Sequence, residues 1–360
     1  MTPSASDDAA LSGASHYPIS STLTERGSTH YTLRNAQDVR IVISDHGATL
    51  VSWLAPDRYG RVADILLGYP DEQGYEKNPV FFGGLIGRWA NRIAGARFTL
   101  DGIDYKVDSN EGRNHLHGGD SGFHLARWHG QVENDALRLT LTSQEGDAGF
   151  PGNLSVSVVY RLDDGGRLSI DYSATCDTPT PVNLTSHGYF NLNGGSADIY
   201  DHMLSIQADH YLQIDAQAIP TGIADVASSA FDFRQPAPIG PRLIWPDPQL
   251  DLAHGFDHCY CLDAPPPGSP ALREVATVYD PGTGRHLAVA TTETGLQFYS
   301  GNYLAGIAGR GQGPYRKHDG FCLEAQAYPD QINGPDAERA ILRPGQVYRQ
   351  TTTYTLSVKS

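Results

Sequence analysis

Val156-Ser157-Val158-Val159-Tyr160-Arg161-Leu162-Asp163-Asp164-Gly165-Gly166-Arg167-Leu168-Ser169-Ile170-Asp171-Tyr172-Ser173-Ala174 decides the fold class. Val156, Val158, Tyr160 and Leu162 are apolar at every second position. After a turn-forming Asp-Asp-Gly-Gly, Leu168, Ile170, Tyr172 and Ala174 repeat the pattern. A period of two puts one set of side chains on one face of a strand, so this is a half-buried β-hairpin. Working outward, Phe98 and Leu100, then Asp101-Gly102, then Ile103, Tyr105 and Val107 read as a second hairpin. Val39–Ile43, Ala136–Thr142, Met203–Ile206, His286–Thr291 and Val347–Val358 read as further strands. No segment holds a 3.6-residue apolar stripe for more than two turns, and no repeat or linker interrupts the chain. The Pro-rich stretch Ala264–Pro270 reads as a long surface turn.

Composition agrees. Gly 39 and Pro 23 make 62 turn-formers in 360 residues, and of 67 charged residues only four are Lys and ten are Glu. Lys and Glu favour surface helix, whereas Asp favours turns. The expectation is an all-β chain: a large, mostly antiparallel domain over 29–360 with few short helices, after a flexible tail over 1–28. The tail has no basic segment followed by an apolar one, and no run of about 18 apolar residues occurs anywhere. With a net charge of −15, nucleic acid and anionic membranes are disfavoured partners. Cys176, Cys259, Cys261 and Cys322 lack zinc-knuckle spacing and read as reduced thiols, which points to the cytoplasm.

Several segments between strands carry chemistry-bearing residues. Arg88 and Arg92 flank Trp89, as an oxygen-rich ligand or a plain surface turn would require. His115 and His117 form an H-x-H pair. This suits a metal only if a third ligand joins, and none is evident nearby; otherwise one His faces a pocket. His187, in Ser186-His187-Gly188-Tyr189-Phe190-Asn191, is either structural or an acid/base. Glu324, alone in the apolar run Phe321–Gln326, is costly to bury and so is either paired or functional. Asp257 beside His258 has a weaker form of that logic. Gln297 is a ligand-binding amide or a strand residue. No nucleophile elbow, phosphate loop or dinucleotide fingerprint is present.

Together these segments resemble the aldose 1-epimerases, the galactose mutarotases. The series is Asn91-Arg92-Ile93, Leu116-His117-Gly118-Gly119, Ser186–Leu192, Phe256-Asp257-His258, Gly295–Asn302 and Leu323-Glu324-Ala325-Gln326, within a likeness spanning about 30–355. The resemblance implies a β-supersandwich with a sugar cleft, no metal and no organic cofactor. It also implies a monosaccharide as partner, while monomer and homodimer both stay open. Carried over, Glu324 is the catalytic base and His187 the catalytic acid, while Asn91, Arg92, His117, Asp257 and Gln297 bind the sugar. Opening a hemiacetal takes a proton from O1 and delivers one to O5. An ionised carboxylate and an imidazolium titrating near neutrality would suit those two tasks. The competing readings are a glycoside hydrolase or lyase, a phosphosugar epimerase using Arg88, Arg92 and Arg97, and a sugar-binding module using Trp89 and Trp245.

Overall fold

The computed structural model describes residues 17–263, 271–311 and 313–360. In it the deciding stretch is a hairpin: strands Leu154–Leu162 and Arg167–Cys176 run antiparallel, with Leu162 opposite Leu168. Gly166 turns the chain at a φ of +78°, and a Cβ there would lie 2.4 Å from the Leu356 carbonyl oxygen, so only glycine fits. Val156, Val158, Tyr160, Leu168, Ile170 and Tyr172 are all buried. Arg167–Cys176 pairs next with Tyr348–Val358, which pairs in turn with Arg285–Thr291. Among the described residues this sheet reaches nine strands, from His129–Glu133 at one edge to Ala237–Pro238 at the other.

Two five-stranded sheets accompany it. The first runs in chain order from Ser20–Leu23 to Val62–Asp64. The second has the spatial order Pro220–Asp225, His210–Ile214, Asp257–Cys261, Gly295–Tyr299, Cys322–Gln326. One core cluster joins all three sheets: Ile41 and Trp53 from the first, Val158 and Tyr172 from the nine-stranded sheet, Leu296 and Phe298 from the second. The α-helices among the described residues are Gln73–Lys77, Ile239–Leu243 and Pro248–Ala253. This is the mostly antiparallel all-β domain with few short helices that the periodicity predicts, arranged as the supersandwich that the resemblance implies. No helix among the described residues is long and apolar enough to cross a membrane. None of the four cysteines is in a disulfide.

The expected tail needs correction. Residues 1–16 lie outside the described residues, as does the Pro-rich stretch Ala264–Pro270. Ser20–Leu23, however, is an edge strand paired with Thr29–Thr32. Its four side chains are all exposed, so it carries no apolar alternation. Main-chain hydrogen bonds to a ready sheet edge hold it, and these leave no mark in side-chain pattern.

Candidate active site

The strands Asp257–Cys261, Gly295–Tyr299 and Cys322–Gln326 of the second five-stranded sheet are covered on both faces, and their pleat sorts side chains by chemistry. Tyr260, Leu296, Phe298, Leu323 and Ala325 enter the core. The alternate positions are Asp257, Gln297, Tyr299, Cys322 and Glu324, with Gln297 opposite Glu324 and Tyr299 opposite both Asp257 and Cys322. This second row forms the floor of a cleft of about 280 Å³ lined by Asp257, Tyr299 and Glu324 from the sheet and by Phe81, Asn91, Arg92, His117 and His187 from loops.

His187 follows the short strand Thr185–Ser186, which pairs with Leu85–Ile86. Two backbone hydrogen bonds fix it: its N–H donates to the Gly84 carbonyl and its carbonyl accepts from the Gly83 N–H, both at 2.9 Å. Its ring lies between Phe81 and Tyr189, near parallel to each, with centroids at 5.7 and 5.0 Å. Nε2 points at Glu324, 3.6 Å from Oε1. Both side chains are about 95% or more buried. Burial holds the His187 imidazole down to about 3 and pushes the Glu324 carboxyl well above its ordinary value, with nearby Asp257 adding to the latter. The expectation of a free-standing ionised carboxylate and an imidazolium titrating near neutrality is therefore corrected. Burial thus pushes both groups in the direction of a carboxylic acid beside a neutral imidazole. Glu324 Oε2 has no partner within the protein.

The H-x-H pair splits. His115 turns away and its Nδ1 meets the Asp108 carbonyl at 2.9 Å. His117 takes a left-handed φ of 52°, which breaks strand alternation and swings its ring to the cleft. Asn91, also left-handed, clips onto it: the His117 N–H donates to the Asn91 carbonyl, and the Asn91 N–H donates to His117 Nδ1, both at 3.1 Å. Gly118 follows because a Cβ there would lie 1.8 Å from the Gly87 carbonyl oxygen. His117, His187 and Glu324 bring three ligand-type atoms within 4.8 Å of one another. A metal-binding histidine, though, donates its second N–H outward. His117 Nδ1 instead accepts a hydrogen bond, so its single proton sits on Nε2, where a metal would need a lone pair.

Arg92 is held by Glu111, whose oxygens accept from Nε and Nη2 at 2.6 Å each. This leaves Nη1 toward Asp257, 4.0 Å from Oδ2. Gln297 donates to Asp257 Oδ1 at 2.7 Å, so it reaches the cleft through Asp257. Arg88 is spent elsewhere: fully buried, it donates to the carbonyls of Pro151 and Gly152 and to Ser143 Oγ. Trp89 is buried and donates to the Arg92 carbonyl; Arg97 and Trp245 are exposed away from the lining. The structure thus gathers Glu324, His187, Asn91, Arg92, His117, Asp257 and Gln297 at one place. Phe81, Glu111, Tyr299 and Tyr303 also line the cleft, and sequence reasoning missed them. Phe81 owes its place to a φ of +62°, which no residue pattern announces. Glu111 had a usable signal, a lone carboxylate in a Gly turn just before His115-Leu116-His117.

A supersandwich whose cleft pairs a buried carboxylate with an imidazole, over a floor of polar side chains, defines a class of acid/base enzymes. The chain belongs to the aldose 1-epimerase family, whose model matches residues 29–355. It is 44% identical over 326 residues to the galactose mutarotase of Bos taurus, covering 90% of this chain and 92% of that one. It is 42% identical over 327 residues to the aldose 1-epimerase of Escherichia coli K12, covering 90% and 93%. Among solved structures, the galactose 1-epimerase of Lactobacillus acidophilus superposes with a TM-score of 0.82 at 29% identity, over 95% of this chain and 99% of that one. An aldose epimerase homologue from C. elegans superposes with a TM-score of 0.83 at 27% identity, over 93% and 100%.

Proposed function

We propose that this chain is an aldose 1-epimerase, a mutarotase interconverting the α and β anomers of free hexoses such as galactose and glucose. The observation that carries the reading is the 3.6 Å approach of His187 Nε2 to Glu324 Oε1 at the floor of the cleft. In ring opening the Glu324 carboxylate takes the O1 proton and the Nε2–H of the His187 imidazolium goes to O5. The C1–O5 bond breaks as C1=O1 forms. The site thereby passes from carboxylate and imidazolium to carboxylic acid and imidazole, the uncharged form that burial favours, so the open-chain aldehyde meets the pocket in its preferred state. Rotation about C1–C2 and the reverse transfers yield the other anomer. Each positioned acid or base supplies about 10²–10⁴ in rate.

Asn91, Arg92, His117 and Asp257 bind and orient the hydroxyls, with Gln297 holding Asp257. The lining suits a neutral sugar: its arginine, Arg92, is already matched by Glu111 and Asp257. Polarimetry on freshly dissolved α-D-galactose tests the reading. Accelerated mutarotation without release of aglycone from aryl galactosides is the expected result, and no acceleration overturns it. Inhibition by glucose 6-phosphate below the KM for glucose would favour the phosphosugar reading. The domain is proposed to span 29–360, in a cytoplasmic monomer or homodimer that light scattering can distinguish.

A further inference from the structure

The group that orients the acid lies on the same strand as the base. Cys322 is two residues before Glu324 on Cys322–Gln326, so the pleat puts both on the cleft face. The Cys322 side chain is fully buried, and its Sγ lies 3.5 Å from His187 Nδ1. We propose that Cys322 is a positioning residue for His187: its sulfur accepts the Nδ1–H, which makes Nε2 the nitrogen that exchanges the proton with the sugar. The inference rests on the mutarotase reading for its catalytic consequence, though not for the hydrogen bond itself.

Three observations support it. The ring is wedged between Phe81 and Tyr189, so it cannot flip freely, and Nε2 is the nitrogen facing Glu324. An imidazolium that gives up its Nε2 proton is left with Nδ1–H, and that hydrogen needs an acceptor; the Cys322 sulfur is the side-chain atom that meets it, beside the His187 carbonyl, which takes the Gly83 N–H and has a second lone pair toward its own ring. Burial, reinforced by Glu324, keeps the Cys322 thiol far above its ordinary value, so sulfur meets Nδ1–H as a neutral, weak acceptor. The other titratable groups facing His187 are Glu324, His117, His124 and Tyr189, with Asp257 and Arg92 across the cleft. None of them meets Nδ1. A weak acceptor does little to stabilise the imidazolium, so the ring returns its proton readily. A stronger one would hold the proton longer.

The test compares wild type, Cys322→Ala and Cys322→Ser by ¹⁵N NMR of His187 and by polarimetry across pH, with thermal melts as the folding check. The wild-type neutral ring is expected to show the Nδ1–H form. Cys322→Ala should lose that preference and about tenfold in kcat, with KM within twofold. Cys322→Ser should keep the preference and most of kcat, and should move the acid limb of the pH profile upward. An Nε2–H form in wild type overturns the proposal, as does an unchanged tautomer and kcat in Cys322→Ala. An inactive wild type that still shows Nδ1–H, lost in Cys322→Ala, would sink the mutarotase reading and leave the hydrogen bond standing.

Discussion

The hairpin 154–176 and the strand Cys322–Gln326 belong to the same fold but obey different rules. In the hairpin, burial alternates along the chain, because one face meets the core and the other meets solvent. In Cys322–Gln326 all five residues are buried. Its core row, Leu323 and Ala325, is apolar, whereas on its other row Glu324 lines the cleft and Cys322 packs against His187 behind it. Equal burial therefore has opposite meanings. On the core row it stabilises the fold by removing apolar surface from water. On the cleft row it costs free energy, because Glu324 Oε2 and Gln297 Oε1 are buried without protein partners. Stability is thus spent where chemistry is done.

That contrast can be broken or sharpened by substitution. The largest effect is expected at Glu324→Gln and His187→Asn, each losing about 10²–10⁴ in mutarotation by polarimetry while the thermal midpoint holds or rises. A midpoint that falls as it does for a core truncation would erase the distinction between the rows. Next is Leu296→Ala, on the core row of the neighbouring strand. It should cost about 2–5 kcal/mol in urea unfolding, with turnover per folded molecule near wild type. A smaller effect belongs to Glu111→Ala. It frees Arg92 and should raise KM on the order of tenfold, about 1.4 kcal/mol, with little change in kcat. Asp257→Asn should likewise act through affinity, and a collapse in kcat at constant KM would reassign it.

The smallest effect per residue concerns histidines buried outside the proton-transfer pair. Burial holds His115 and His124 down to about 4 and His258 to about 3. Between those values and the ordinary 6.5, the unfolded chain binds protons that the folded chain refuses. Stability is then complete above pH 6.5 and falls as pH drops below it. From pH 7.5 to 6.0 each such group should forfeit about 0.8 kcal/mol, read as a falling urea midpoint. A flat midpoint over that range would mean these rings are solvated or paired in solution.

The same contrast explains what was legible in the residues alone. Where one face is wet, period two shows: the hairpin read over 156–174 forms over 154–176, that read over 98–107 forms over 97–106, and the strand read over 286–291 forms over 285–291. Where both faces are covered the period fades, and Cys322–Gln326 stands out only by its single carboxylate in apolar company. His187, His117 and Glu324 were recognisable as candidates, but their meeting depends on pairings across more than 200 residues. Phe81 and the edge strand Ser20–Leu23 were not recognisable. The first is set by a left-handed backbone, the second by main-chain bonding to an existing edge.

The clip between Asn91 and His117 has a consequence for molecular recognition. Histidine is ordinarily an ambidextrous partner, donor or acceptor as its surroundings ask. Here a backbone amide from another loop removes that freedom, and His117 offers the cleft a donor only. Asp257, when ionised, can only accept. On the proposed reading, a sugar hydroxyl held between them would be read as an oriented dipole, with its lone pair toward the imidazole and its proton toward the carboxylate. A fluorine in that hydroxyl's place could satisfy one end and not the other, so the cleft distinguishes an alcohol from its isostere by polarity as well as by shape.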